Sequence, residues 1–309
     1  MEAAEFTGRL MGCEATVVVA SRAADEIDRV VAHVGVLESL WSRFIAASDI
    51  SRINDAQGEV VDVAQPTLTL LTAMKAAWVD TCGWFDPCVL PQVVNAGFIP
   101  KQGGEAQSHL NLEGVSGELG GVRSLVVDAE HHTAQLEAGY VLDPGGIGKG
   151  LAVDLAVEAS LQRGSEAILV NLGGDLRVSG DPQVLGTEFW GIDVEAAGDR
   201  DRSVLTLSLD QGAVATSSVT ENRWVAGGVE RHHLIDPSTR RPASSDVASA
   251  TVIGSLAWKC EVFAKAALLM GSREGKAFVE ARGFDVLIQR RDGTLSMSDS
   301  LRVACQEAW

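Results

Sequence analysis

Apolar and polar positions along this chain follow two alternating rhythms, one of strands and one of helices. Residues 14–20 are rich in β-branched side chains and predict a strand. Over residues 25–41 the apolar positions are Ile27, Val30, Val31, Val34, Leu37, Leu40 and Trp41, the spacing of one helix face. A loop with Ser48 and Asp49 leads into Ile50–Asn54. A second helix over 66–82 opens on Pro66, which suits a first-turn position. Gly83-Trp84-Phe85-Asp86-Pro87 ends it, because a residue before proline is pushed out of the helical region. Residues 100–121 are polar and glycine-rich, compatible with a disordered insert or with two short strands. Residues 125–128 and 133–136 read as paired strands. A glycine-rich loop over 142–150 then feeds a helix over 151–163 that stops at Arg163-Gly164.

The second half is richer in strands, expected over 167–171, 190–194, 203–209, 213–217 and 248–253. Helices over about 258–270 and 273–282 follow, each ended by glycine. A hairpin closes the pattern, with residues 286–290, the turn Arg291-Asp292-Gly293 and a return from Leu295. Strands and helices do not alternate strictly, which disfavours a doubly wound parallel sheet. The expected fold class is α+β, with largely antiparallel sheets flanked by helices. No repeat of 20–50 residues is visible.

Composition narrows the functions. The 309 residues suffice for one large domain or two small ones. With 42 acidic against 25 basic residues the net charge is −17, which argues against nucleic acid and against anionic membranes as partners. No apolar run approaches the roughly 18–20 residues of a membrane span. The N-terminus begins acidic, without a basic segment ahead of an apolar one, unlike a secretory signal. Residues 5–9 are too polar for Leu10-Met11-Gly12-Cys13 to read as an acylation site. The five cysteines (13, 82, 88, 260 and 305) are odd in number and form no Cys-x-x-Cys pair. They read as reduced, mostly buried thiols, and the expected location is cytoplasmic.

The segment richest in chemistry is Leu142-Asp143-Pro144-Gly145-Gly146-Ile147-Gly148-Lys149-Gly150. Glycines let a backbone approach a ligand, a helix start offers unpaired N–H groups, and Lys149 adds a point charge. Together they suit a phosphate or diphosphate; the alternative is a plain glycine turn before a helix. The spacing is not that of a P-loop, nor of a dinucleotide fingerprint. A second glycine turn is Asn171-Leu172-Gly173-Gly174-Asp175. A third segment, Arg231-His232-His233-Leu234-Ile235-Asp236-Pro237, carries two adjacent histidines. Neighbours on a strand face opposite sides, so at most one of the two points into a site and the other is expected in solvent.

These segments, in this order, resemble the ApbE family of FAD:protein FMN transferases. Met11-Gly12 resembles its Met-Gly strand start. Trp41-Ser42-Arg43-Phe44 with Ser48-Asp49-Ile50-Ser51-Arg52-Ile53-Asn54 resembles its Ser-x-(Leu/Ile)-Ser-Arg-x-Asn segment. Gly83–Pro87, Leu142–Gly150 with Asp154, and Asn171–Asp175 resemble its glycine motifs. Ala215-Thr216-Ser217 and His233–Thr239 resemble its later ones, with Ser218 and Arg240 where the family has glycine. The resemblance implies a single ApbE-like domain over 1–309. It implies FAD as substrate, Mg²⁺ as cofactor, and transfer of FMN to a Thr or Ser hydroxyl of a target protein with release of AMP. It also places Met11, Phe44, Phe85, Asp86, Asp143 and Lys149 along the flavin nucleotide, with Phe44 as the stacking aromatic and His233 near the transferred phosphate as the candidate base.

The chain departs from the family at the metal. There the resemblance implies a backbone carbonyl of the glycine loop, here Gly146, with an Asp and a Thr one helical turn apart. This chain has Glu261 and Lys265 in those places. Glu261 can still bind a cation, whereas Lys265 has three donors and no acceptor. Either Lys265 takes over the metal's charge and acts in catalysis, or the two residues form a helix salt bridge and the site is altered. Two rival functions follow: an FAD pyrophosphatase that gives FMN and AMP, and a non-enzymatic FAD carrier. Asp292-Gly293-Thr294-Leu295-Ser296-Met297-Ser298 loosely resembles the family's acceptor motif, and competes with the hairpin reading of the same residues.

Overall fold

A computed structural model describes residues 2–97, 112 and 115–307. The undecided segment 100–121 lies largely outside the described residues. In chain order the first half holds β1 (Glu2–Leu10), β2 (Cys13–Ser21), α1 (Glu26–Trp41), α2 (Asp49–Asp55), β3 (Val61–Asp62), α3 (Gln65–Asp80), α4 (Leu90–Asn95), β4 (Val126–Asp128), β5 (Thr133–Gln135) and α5 (Gly148–Gln162). The strands that follow are β6 (Ala167–Leu172), β7 (Asp175–Gly180), β8 (Trp190–Ala196), β9 (Asp199–Leu209), β10 (Gly212–Ser218), β11 (Arg223–Ala226), β12 (Val229–His232), β13 (Ile235–Asp236), β14 (Arg241–Pro242) and β15 (Val247–Gly254). The chain then runs through α6 (Ala257–Met270), α7 (Ser272–Glu280), β16 (Asp285–Arg290), β17 (Leu295–Met297) and α8 (Asp299–Glu307).

The chain divides into two compact units, one of residues 1–35, 149–221 and 245–309, the other of residues 36–148 and 222–244. The first is built on an eight-stranded sheet in the order β1-β2-β6-β7-β10-β15-β16-β17, with every neighbouring pair antiparallel. Side chains on a strand alternate between faces, and β10 shows how both faces are used. Val214 joins a cluster with Leu176, Val178, Trp190, Ile192, Val194 and Leu207, where the β8–β9 hairpin covers the sheet. Ala213 and Ala215 are also buried, and α6 packs against β10 and β15. Helix α6 is buried nearly all round, and its Phe263 meets Phe278 and Phe284 edge to face, at ring separations of 5.8 and 4.9 Å.

The second unit carries the three-stranded sheet β3-β5-β4, helices α2, α3 and α4, and the small antiparallel pairs β11–β12 and β13–β14. Its hairpin β11–β12 is tied to the end of α4 through Ala96, whose carbonyl accepts from the Trp224 indole at 2.9 Å and the Arg231 guanidinium at 3.1 Å.

The α+β class and the antiparallel sheets stand as expected. Several elements go beyond the sequence pattern. Strand β1 carries a single β-branched residue, Thr7, and exists because the Met11-Gly12 turn folds it onto β2 from Glu2–Ser21 to Leu10–Cys13. Both turn residues have positive φ, 50° and 74°, the backbone that a two-residue hairpin needs. Asp49–Asp55 is a helix capped by Ser48, where the sequence pattern suggests a loop at Ser48 and Asp49, and α8 follows the terminal hairpin. Among the cysteines, Cys88 and Cys260 are buried but Cys82 is exposed.

Candidate functional site

In the first unit, four charged side chains converge where α5 and α6 begin. Gly148 opens α5, so Lys149 stands in its first turn. Gly150 lets that turn lie directly on the start of α6, since a Cβ there would come within 2.7 Å of the Ala257 backbone. The Gly150 N–H donates to the Glu261 carboxylate at 2.8 Å. The Lys149 ammonium donates to Asp175 and lies 3.9 Å from the other Glu261 oxygen. Asp175 is placed by the turn Gly173-Gly174, both at positive φ, with the Asn171 side chain accepting from the Gly174 N–H. Lys265 sits one turn after Glu261 on α6; both are buried, 8% and 5% exposed, and the Lys265 charge acts on the Glu261 carboxyl.

Burial and neighbouring charges both act on this cluster. Burial works against the Lys149 charge, yet Asp175 and Glu261 hold the ammonium above the ordinary lysine range. Burial, and then the Asp175 charge, raise the Glu261 carboxyl above the usual range, against Lys149, the Gly150 N–H and Lys265. Asp154, part of the same glycine-loop motif, has a structural task. Its carboxylate accepts from the first two N–H groups of α6, Ala257 and Trp258, each at 3.0 Å, and pairs with Arg177 at 3.0 Å. It thereby caps the helix that carries Glu261 and Lys265.

In the second unit, Phe44 and Asp143 come together through Arg43, which the sequence did not single out. The Arg43 guanidinium stacks 4.1 Å above the Phe44 ring and lies 3.2 Å from Asp143. Phe44 is 39% exposed. Asp143 also accepts from the Gly145 N–H at 3.0 Å, bracing the glycine loop. Asn54 fixes the entry to that loop, donating to the Leu142 carbonyl at 2.9 Å and accepting from the Leu142 N–H at 2.7 Å. No spacing in the sequence points to this contact, which joins residues 88 positions apart. Gly146 has φ 94°, a conformation glycine adopts readily.

The other expected residues are more embedded. Phe85 is fully buried, and the buried Asp86 carboxylate accepts from the N–H groups of Cys88 at 2.8 Å and Gly120 at 2.6 Å. Met11 is half-buried in the β1–β2 turn. His233, just past β12, is half-buried. The expectation that its neighbour lies in solvent is corrected: His232 is buried, its Nε2 3.0 Å from the Ala243 carbonyl and its Nδ1 accepting from the Leu234 N–H at 3.3 Å. The hairpin reading of 292–298 holds, with Gly293 at positive φ and Ser298 fully buried.

The donor set on α6 does not suit magnesium, which takes oxygen ligands in octahedral array. Lys265 offers no lone pair, and Glu261 already accepts from Gly150 and faces Lys149. Among the described residues no group of three or more His, Cys, Asp or Glu side chains is placed to hold a metal ion. No helix among them is long and apolar enough to cross a membrane.

The α+β fold is shared with solved ApbE proteins. It matches the ApbE protein of Thermotoga maritima with a TM-score of 0.82 and 26% identity, over 98% of this chain and 99% of that one. The apo form of the Pseudomonas stutzeri flavinyl transferase ApbE shares the fold with a TM-score of 0.79 at 24% identity, over 97% and 96% of the two chains. Residues 11–288 match the ApbE family profile, and the chain belongs to that family. Among its relatives is the FAD:protein FMN transferase of Vibrio cholerae, 28% identical over 268 residues that span 85% of this chain and 78% of the relative. The Escherichia coli K12 protein of the same name is 24% identical over 281 residues, spanning 89% and 79%.

Proposed function

We propose that this chain is an FAD:protein FMN transferase, acting as one domain over residues 1–309. It takes FAD, moves the FMN part to a Thr or Ser hydroxyl of a target protein, and releases AMP. The hydroxyl oxygen attacks the phosphorus on the FMN side of the diphosphate. The bridging P–O bond breaks, and AMP leaves with the bridging oxygen. The hydroxyl proton passes to a base, for which His233 is the candidate. Such chemistry needs positioning and charge neutralisation more than covalent help from the protein.

The observation that carries this reading is the placing of Lys149. Its ammonium is braced by two buried carboxylates in the first turn of a helix, directly after a glycine-rich turn. Helix-start N–H groups and an ammonium are the groups that favour phosphate oxygens. The names of the relatives support FAD as the substrate and a protein as the acceptor. Phe44, exposed on one side and backed by Arg43, offers a ring for a flat heterocycle to stack on. Asp143 is an acceptor for the edge of the nucleotide. The family resemblance assigns Met11, Phe85 and Asp86 to the nucleotide as well, and Phe85 and Asp86 are buried. The thiols of Cys82, Cys88 and Cys260 support a cytoplasmic setting.

The test is to incubate the purified protein with FAD and a peptide of the type (Asp/Asn)-Gly-x-x-(Ser/Thr)-x-(Ser/Thr), with and without Mg²⁺. AMP is followed by chromatography and the peptide by mass spectrometry. The expected result is AMP released only when peptide is present, in amounts equal to flavinylated peptide. AMP without peptide indicates a pyrophosphatase, and bound FAD without AMP indicates a carrier.

A further inference from the structure

Helix α6 sets Glu261 and Lys265 one turn apart, both buried, and α5 brings Lys149 to the same carboxylate. With Asp175, the cluster sets two lysine side chains against two acidic ones, so positive charge is present there without any ion. A dication placed there meets Lys265, which repels it and cannot ligate it. The positive charge that a metal brings to a diphosphate is already present, as a second lysine in a compact, desolvated site. We propose that Lys265 stands in for the divalent cation, so that this chain binds the diphosphate of FAD without metal. The inference rests on the FMN-transferase reading above.

The chemistry of the lysine ammonium makes the exchange workable. It carries three donors on a flexible stem. Lys149 can therefore keep its bond to Asp175 while turning another N–H to a phosphate oxygen. Lys265, whose charge acts on Glu261 from one turn along α6, brings three more donors. Glu261 then positions both lysines and need not act as a metal ligand. Helix α6 is itself held in place by the Asp154 cap, so the two ammonium groups are presented from elements fixed to each other.

The experiment compares the full-length wild type with Lys265→Thr and Lys265→Met. Mn²⁺ binding is read by electron paramagnetic resonance with Mg²⁺ as competitor. FAD binding is read by equilibrium dialysis in EDTA and in Mg²⁺, and folding by circular dichroism. The wild type is expected to bind FAD equally in both conditions and to take up no stoichiometric Mn²⁺. Lys265→Met, similar in length but uncharged, is expected to lose about tenfold or more in FAD affinity in both conditions. Lys265→Thr, which restores a hydroxyl beside Glu261, is expected to bind one equivalent of Mn²⁺ and to need Mg²⁺ for FAD. Wild-type protein that binds one equivalent of Mn²⁺ displaceable by Mg²⁺, or that loses FAD in EDTA, overturns the proposal and leaves the transferase reading intact. Wild-type protein that binds FAD in neither condition overturns the transferase reading, and this one with it. Should Lys265→Thr fail to fold, the wild type and Lys265→Met still decide the matter, since unchanged FAD affinity in Lys265→Met is also fatal.

Discussion

Asn54 shows what a single side chain contributes in this molecule. Its amide closes two hydrogen bonds on the Leu142 backbone, just before the glycine loop, and all the groups involved are buried. Removing the amide leaves a buried N–H and a buried C=O without partners, each costing about 1–3 kcal/mol. Asn54→Ala should therefore lower stability by a few kcal/mol in urea unfolding. FAD affinity should fall too, because the loop loses its fixed entry. A variant with wild-type stability and affinity would show that the loop is held by its own turn alone. Asn54 was visible in the sequence only as the end of a motif. The motif's physical content is local capping, with Ser48 accepting from the Ser51 N–H at 3.0 Å, plus one distant contact that no periodicity encodes.

At the scale of elements, what the sequence reveals depends on whether a segment's own residues or its neighbours decide its structure. Helices α1, α5 and α6 and the β16–β17 hairpin were legible because spacing and turn residues determine them locally. Strand β1 was not, since only pairing with β2 makes it a strand. The charged cluster was half legible. The lysine after the glycine loop was plain, but Asp175 looked like the exit of a turn, and its meeting with Lys149 depends on the order of strands in the sheet. Gly150 is the element-scale counterpart of this. Its missing side chain lets α5 sit on α6, with the Ala257 backbone 2.7 Å from where a Cβ would stand. Backbone cannot move aside as a flexible side chain can. Gly150→Ala should cost about 1–3 kcal/mol by overpacking, despite alanine's better helix propensity. It should also displace the N–H that orders Glu261. Thermal unfolding reads the first effect and FAD titration the second; a gain in stability, as propensity alone demands, would sink the packing account.

For the whole molecule, the acidic balance of 42 to 25 makes pH the natural probe, and its carboxylates fall into two groups of opposite sign. Asp154 and Glu261 are raised by burial, so what they contribute is present at low pH and lost as pH rises through their folded values. Asp246 belongs to the other group. It accepts from the Ser272 hydroxyl at 2.5 Å and the Ser272 N–H at 2.9 Å at the start of α7, and it pairs with Arg290 at 3.0 Å near the end of β16. The Ser272 hydroxyl above all, then its N–H and Arg290, hold this carboxyl below the ordinary range against a smaller effect of burial. Its folded value being the lower one, its contribution is complete above the unfolded value of about 4 and disappears as pH falls through the folded value. Asp246→Asn removes that charge at every pH. The stability gap between wild type and variant should stay level from neutral pH down to about 4, then narrow at lower pH as the wild-type carboxylate takes up its proton. Urea midpoints measured at stepped pH test this, and a gap that keeps its full size to the acid end, or that widens there, would show that Asp246 ties α7 to the sheet by shape and neutral hydrogen bonds rather than by charge.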